Sequence, residues 1–132
     1  MPQEITTGYQ ALLDAANARV RAVPPQEAKS LLGREDHIFI DLRDPRELER
    51  EGMMPGAFHC PRGMLEFWID PASPYHNDVF ARDATFVFFC AGGWRSALAA
   101  ATALDMGLKP VVHLEGGFSA WTKAGGKVER RA

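Results

Sequence analysis

The segment 86–96, Phe-Val-Phe-Phe-Cys-Ala-Gly-Gly-Trp-Arg-Ser, combines a nucleophile with groups that bind anions. Cys90 ends an apolar run that is typical of a buried strand, and a helix-forming stretch follows the loop. Gly92 and Gly93 permit a tight turn whose N–H groups converge, and such groups at a helix N-terminus favour a thiolate. Arg95 can bind an oxyanion through two N–H bonds, and Ser96 can cap the helix. The pattern predicts nucleophilic thiol chemistry, although a lone cysteine is more often a small buried core residue.

Three charged residues are candidates for supporting this loop. Asp41 ends another predicted strand, and we expect it to hold backbone N–H groups or Arg43 rather than to act as a base. Arg43 either supports the cysteine loop or forms a surface pair with Asp44 or Glu47. Glu115 is expected to be a carboxylate that fixes a nearby loop.

Other residues leave two interpretations open. Cys60 is either a resolving cysteine for Cys90 or a packed core residue, and the packed alternative is favoured because no Cys-x-x-Cys spacing is present. Trp94 either packs on the helix that follows or lines the pocket mouth. The long loop 70–83, with aromatic residues in and around it, either forms a wall that selects the substrate or packs as an inert flap.

Composition limits the class of protein and its partners. The chain has 132 residues and a formal net charge of −2, so it gives no reason to expect nucleic acid or an anionic membrane as a partner. Because no apolar run could cross a bilayer and the N-terminus lacks a signal-peptide core, we expect a cytoplasmic location. Two cysteines fit a reducing compartment. The histidines show no ligand spacing relative to the cysteines, so neither a metal nor a cofactor is expected.

Helical and strand patterns alternate along the chain, which predicts an α/β fold with a parallel sheet covered by helices on both faces. Segment 1–20 is predicted to be an N-terminal helical extension, and 21–132 the main domain. The helix of the extension is expected to be capped by Thr6 or Thr7 and to carry on one face the apolar residues Leu12, Leu13, Ala16 and Val20. Strands are predicted at 21–23, 37–41, 57–59, 85–89 and 110–114, and helices at 26–32, 45–52, 62–68, 97–106 and 117–124. Sites in such sheets form at the carboxyl ends of strands, where Asp41 and Cys90 would lie.

Four motifs in order resemble those of rhodanese-like sulfurtransferases. Cys90-Ala91-Gly92-Gly93-Trp94-Arg95 is similar to the family's active-site loop, Cys-x-x-Gly-x-Arg. The other three motifs are Asp41-Leu42-Arg43 with the helix after it, Gly52 to Ala57, and Leu114 to Trp121. The resemblance covers most of the chain, and it implies a rhodanese-like fold with a central, mostly parallel, five-stranded sheet.

The resemblance implies a ping-pong transfer in which Cys90 takes sulfane sulfur from a small donor, thiosulfate or a persulfide, and passes it to cyanide or a thiol. Loop residues 91–96 would then bind the substrate, and a protein sulfur acceptor is a further candidate partner. One alternative is a sulfur-carrier or interaction module with little small-molecule turnover. Another is a phosphatase or arsenate reductase, but those enzymes have five residues between cysteine and arginine, where this chain has four. Ala91 and Gly92 replace the basic residues of some thiosulfate-using members, which argues against thiosulfate.

Overall fold

The computed structural model describes residues 2–131. Its centre is a sheet of five strands in the order β1-β5-β4-β2-β3, in which every neighbouring pair is parallel. The strands are β1 (Ala22–Val23), β2 (His37–Asp41), β3 (Phe58–His59), β4 (Thr85–Phe89) and β5 (Val111–Leu114). The predicted α/β class and parallel sheet are therefore confirmed.

Six α-helices connect and cover the strands: α1 (Tyr9–Arg19), α2 (Pro25–Leu31), α3 (Pro45–Glu51), α4 (Leu65–Ile69), α5 (Trp94–Met106) and α6 (Gly117–Lys123). Two short 3₁₀ helices, Arg62–Met64 and Asp78–Ala81, lie on either side of α4. Helix α3 begins where the sequence predicts, because Asp44 accepts from the Arg46 and Glu47 N–H groups and the Glu47 side chain accepts from Asp44 N–H.

The central strands β2 and β4 bring their carboxyl ends together. They pair in register from His37 with Thr85 to Asp41 with Phe89. Because parallel strands in register end at the same edge of the sheet, the loops after Asp41 and after Phe89 are neighbours. This register places the Asp41-to-Asp44 turn beside the Cys90 loop.

The two faces of β4 supply two cores. Phe86 and Phe88 belong to the cluster beneath α5, whereas Val87 and Phe89 belong to the cluster on the opposite face with Trp121. Successive strand residues point to opposite faces, so a fully apolar strand is expected when helices cover both.

Helix α1 packs on α5, where Leu13 and Ala16 are buried against Ala97. Two details of the predicted helix are wrong. Neither Thr6 nor Thr7 caps it, since the cap position is Gly8 and has no side-chain hydrogen bond. Leu12 is exposed, because it lies about 100° around the helix from Leu13.

The loop 70–83 lies at the sheet end opposite Cys90, because it leads into the first residue of β4. Its Phe80 is buried and stacks on Phe86 with 5.7 Å between ring centroids. This position argues against an aromatic wall at the site. Phe80 packs on the core, whereas Tyr75 of the same loop is exposed. Among the helices of residues 2–131, none has the length and apolar character needed to traverse a bilayer.

Candidate active site

The Cys90 sulfur lies under a loop that closes around it. Backbone N–H groups of Gly93 and Ser96 donate to Sγ at 3.2 and 3.4 Å. Gly93 adopts φ +107 and occupies the cap position of α5. The left-handed conformation suits glycine and turns the N–H groups inward. The expectation that Ser96 caps α5 is wrong, because the helix begins two residues earlier, at Trp94.

An open cleft of about 310 Å³ leads to the sulfur and is lined by Cys90, Gly92, Trp94 and Arg95. Trp94 is 62% exposed, and the centroid of its ring lies 5.1 Å from that of Tyr9 on α1. Trp94 therefore stands at the mouth of the cleft, the second of its two predicted positions. The first helix supplies the other half of this aromatic pair.

Arg95 is bound to Glu47 on α3. Its two terminal nitrogens donate to the two carboxylate oxygens at 2.9 and 2.8 Å. These hydrogen bonds from Arg95 lower the pKa of Glu47 to about 2, with help from the Asp44 N–H, although burial acts in the opposite direction. The guanidinium is thus not a free anion receptor, and its role in holding a donor stays a prediction.

Asp41 and Arg43 form a buried ion pair behind the loop. Arg43 donates to both carboxylate oxygens of Asp41, at 3.0 and 2.8 Å, and to the Gly52 carbonyl at 3.0 Å. The expected alternative of a surface pair with Asp44 or Glu47 is wrong, because Arg43 is 1% exposed.

Arg43 reaches the cysteine loop only indirectly. Its guanidinium lies 4.1 Å from the centre of the Phe118 ring, and the Phe118 N–H donates to the Cys90 carbonyl at 2.8 Å. Next to it, the Ser119 N–H donates to the Ala91 carbonyl at 3.0 Å. Through these two hydrogen bonds, the start of α6 holds the backbone of Cys90 and Ala91 in place.

Gly117 allows this close contact. A Cβ placed on it would lie 2.5 Å from the Cys90 carbonyl oxygen and 2.7 Å from Ala91 atoms, and its φ is +64. Any other residue would push α6 away from the cysteine loop.

Two further candidates lie apart from the sulfur. The Glu115 side chain is exposed and accepts no hydrogen bond from any other residue in 2–131, so the expected loop-fixing carboxylate is not observed there. Its backbone N–H donates to the Val23 carbonyl.

Cys60 is fully buried in the core, and burial raises the pKa of its thiol to about 12. This position supports the packed alternative, since such a thiol is inert.

A polar group lies behind the sulfur, and two of its members, His113 and Asn17, were not among the predicted site residues. The Ser96 hydroxyl lies 3.6 Å from Cys90 Sγ and 3.0 Å from His113 Nδ1, and His113 Nε2 lies 3.2 Å from Asn17 Oδ1. One signal was available: a histidine in the otherwise apolar strand Val-Val-His-Leu, at the strand end where sites form. Within residues 2–131, no cluster of three or more His, Cys, Asp or Glu side chains could hold a metal.

Comparison with known proteins places this site in a family. The profile of the rhodanese-like domain matches residues 24–124. A sulfurtransferase of Allochromatium vinosum is 30% identical over 98 residues, which cover 74% of this chain and 83% of that protein. The thiosulfate sulfurtransferase GlpE of Pseudomonas putida is 29% identical over 101 residues, covering 76% and 84% of the two chains.

A solved structure from Rhodopseudomonas palustris is similar over nearly the whole chain. It is 58% identical with a TM-score of 0.95, covering 98% of this chain and 99% of that one, and it is described as a protein of unknown function and a possible tyrosine phosphatase. Since the matched profile spans most of the sequence and includes the Cys90 loop, the chain belongs to the rhodanese-like domain family.

Proposed function

We propose that the protein is a sulfurtransferase that carries sulfane sulfur as a persulfide on Cys90. The observation that carries this proposal is the position of Sγ, at the base of an open cleft with two backbone N–H donors. These donors suit a sulfur anion, and they are available in both halves of a ping-pong reaction. The sulfurtransferases among the relatives support the same chemistry.

In the first step, the Cys90 thiolate attacks the outer sulfur of a donor R–S–SH. The new S–S bond forms as the donor S–S bond breaks, and the donor leaves as the thiolate R–S⁻. In the second step, a thiolate or cyanide attacks the outer sulfur, and Cys90 leaves with the electron pair of the broken bond. The Gly93 and Ser96 N–H groups stabilise the negative charge on Cys90 each time.

The charge around the cleft favours a persulfide over thiosulfate as the donor. Arg95 is the cation that lines the cleft, and Glu47 neutralises it through two hydrogen bonds. Ala91 and Gly92 add no charge next to the nucleophile. A small dianion therefore gains little there, whereas the apolar face of Trp94 can pack against an organic persulfide.

A donor panel tests the proposal. The protein is incubated with thiosulfate, mercaptopyruvate and glutathione persulfide, and its intact mass is measured before and after cyanide is added. We expect the mass of one sulfur atom to appear with glutathione persulfide and to disappear with cyanide. The Cys60→Ser variant should behave as the wild type, and Cys90→Ser should gain nothing. Sulfur loading that survives in Cys90→Ser would refute the mechanism.

Two alternatives are decided by further measurements. Ready loading combined with slow turnover on every small acceptor would indicate a carrier that serves a protein partner. The similar structure from Rhodopseudomonas palustris is described as a possible tyrosine phosphatase, which makes phosphatase activity the second alternative. Four residues between Cys90 and Arg95 leave less room for a tetrahedral oxyanion than five, so we expect no hydrolysis of an aryl phosphate.

A further inference from the structure

A chain of polar side chains runs from the Cys90 sulfur through the protein to α1. It passes from Sγ to the Ser96 hydroxyl, from there to His113 Nδ1, and from His113 Nε2 to Asn17 Oδ1, over 3.6, 3.0 and 3.2 Å. Ser96 and His113 are buried at 0% and 4% exposure. Buried polar groups need partners. Both ring nitrogens of His113 face the neighbouring members of this chain, whereas the Ser96 hydroxyl also lies 3.2 Å from the Gly93 carbonyl oxygen.

Asn17, the member of the chain on α1, determines which atom donates and which accepts in each of these hydrogen bonds. In the amide orientation of the structure, Asn17 Oδ1 faces His113 Nε2. An amide oxygen only accepts, so this orientation requires a proton on Nε2. In a neutral imidazole Nδ1 is then an acceptor, and the nearest donor is the Ser96 hydroxyl at 3.0 Å. The Gly93 carbonyl, at 3.2 Å, is the other acceptor within reach of that hydroxyl proton. The Ser96 oxygen in turn faces the thiol proton of Cys90.

We propose that His113 takes the proton of the Cys90 thiol through Ser96, and that Asn17 holds His113 in the tautomer that can do so. The proposal rests on Cys90 being the nucleophile of the proposed function, and it makes His113 a positioning residue that acts through Ser96. Asn17 lies outside the matched domain, so the first helix would have a chemical role besides packing.

The proton transfer conserves atoms and charge. The S–H bond of Cys90 breaks as a new O–H bond forms on Ser96, and the original Ser96 O–H proton moves to Nδ1 of His113. The electron pair stays on sulfur, which gives a thiolate and an imidazolium. Ser96 then donates its hydroxyl to the thiolate and accepts from Nδ1–H. When Cys90 leaves the persulfide in the second half-reaction, the same path can return the proton.

The environment of His113 fits a proton acceptor that rests in the neutral form. Burial lowers the pKa of His113, against a smaller opposing effect of the Glu115 charge. The facing side chains on α5 and α1, Ser96 and Asn17, carry no charge. On the β1 side Arg21 contributes its backbone carbonyl, while its guanidinium is turned to Glu27. An imidazolium therefore forms only together with the thiolate charge that offsets it.

An added carboxylate at position 17 tests the proposal. In a Cys60→Ser background, the rate of iodoacetamide alkylation of Cys90 is measured against pH. Asn17→Asp places an anion on Nε2–H and stabilises the imidazolium, so we expect the midpoint to fall by about one pH unit and the rate at low pH to rise about tenfold. Ala18→Asp adds the same charge at the next position of α1, which is exposed. Its alkylation rate at each pH should stay within about twofold of the rate in the Cys60→Ser background.

Two further measurements separate a relay from a general charge effect. Adding Ser96→Ala to Asn17→Asp should abolish the shift, because the coupling passes through the hydroxyl. Nitrogen NMR of His113 should show the proton on Nε2 in the wild type and a mixture of tautomers in Asn17→Ala. Equal profiles for Asn17→Asp and Ala18→Asp, or a proton on Nδ1 in the wild type, would overturn the proposal.

Alkylation needs no sulfur donor, so the relay and the proposed function fail in different ways. A midpoint shift in a protein that loads no sulfur would keep the relay and reject the transferase. Sulfur loading with an unmoved midpoint in Asn17→Asp would reject the relay alone.

Discussion

Arg95 and Glu47 tie together the two loops that follow the central strands. The Glu47 carboxylate accepts from both terminal nitrogens of Arg95 and, at 2.9 Å, from the N–H of Asp44. One side chain thus links the start of α3 to the start of α5, directly after the loop that carries Cys90. Bidentate pairs of this kind are among the stronger ion pairs, and Glu47 is largely buried.

Replacing Glu47 should loosen the site. In Glu47→Gln the ion pair is lost, and we expect unfolding free energy to fall by about 1–2 kcal/mol with slower Cys90 alkylation. Glu49→Gln is the matched control, because Glu49 lies exposed on the same helix. Denaturant unfolding and iodoacetamide kinetics measure both effects. Equal behaviour of the two variants would show that the Arg95 pair is dispensable.

The lowered pKa of the Glu47 carboxyl group predicts how the free energy of unfolding changes at acidic pH. The folded-state pKa of Glu47 is about 2, against an ordinary value of 4.5. Its contribution is therefore fully present above pH 4.5 and is lost as pH falls from there towards 2. The difference in unfolding free energy between wild type and Glu47→Gln should shrink over that interval. A constant difference would contradict this assignment.

Gly117 should tolerate no side chain. In Gly117→Ala the added Cβ would clash with the Cys90 and Ala91 backbone, so we expect a loss of about 2 kcal/mol or more and impaired sulfur loading. Gly63→Ala is the control, since a Cβ there meets no atom within 4 Å. Thermal unfolding and intact mass after persulfide treatment supply the readouts. A Gly117→Ala protein as stable and active as Gly63→Ala would disprove the close-contact argument.

Replacing Arg43 alone should lower the free energy of unfolding more than replacing both Asp41 and Arg43. Arg43→Met leaves the buried Asp41 carboxylate without its cation, a loss of about 3–5 kcal/mol. The double variant Asp41→Asn with Arg43→Met removes that charge and should recover part of the stability. Denaturant unfolding of both variants tests this, and a double variant no more stable than the single one would argue against it.

The aromatic pair at the cleft mouth should affect donor preference. Trp94→Ala removes an exposed apolar face beside Cys90, so loading from glutathione persulfide should fall severalfold more than loading from thiosulfate. Tyr9→Ala should act in the same direction with a smaller effect, because Tyr9 contacts Trp94 and is absent from the cleft lining. Rates from intact mass over time provide the comparison. Equal losses for the two donors would assign Trp94 a structural role.

The sequence by itself determined the features that depend on neighbouring residues. The apolar runs ending at Asp41 and Phe89 predicted β2 and β4 with their observed bounds, and the Asp44 capping box predicted the start of α3. The glycines after Cys90 predicted the tight loop. Such patterns succeed because hydrophobic periodicity, caps and turn residues act over a few positions.

Only the tertiary structure decided which distant side chains meet. Arg95 and Glu47 lie 48 positions apart and His113 and Asn17 lie 96 apart, so no local pattern could pair them. Strand register and the docking of α1 on α5 bring each pair within hydrogen-bonding distance. Packing likewise placed Phe80 in the core and left Glu115 exposed. These contacts are long-range because they depend on how whole elements pack, and the Cys90 site is made from them.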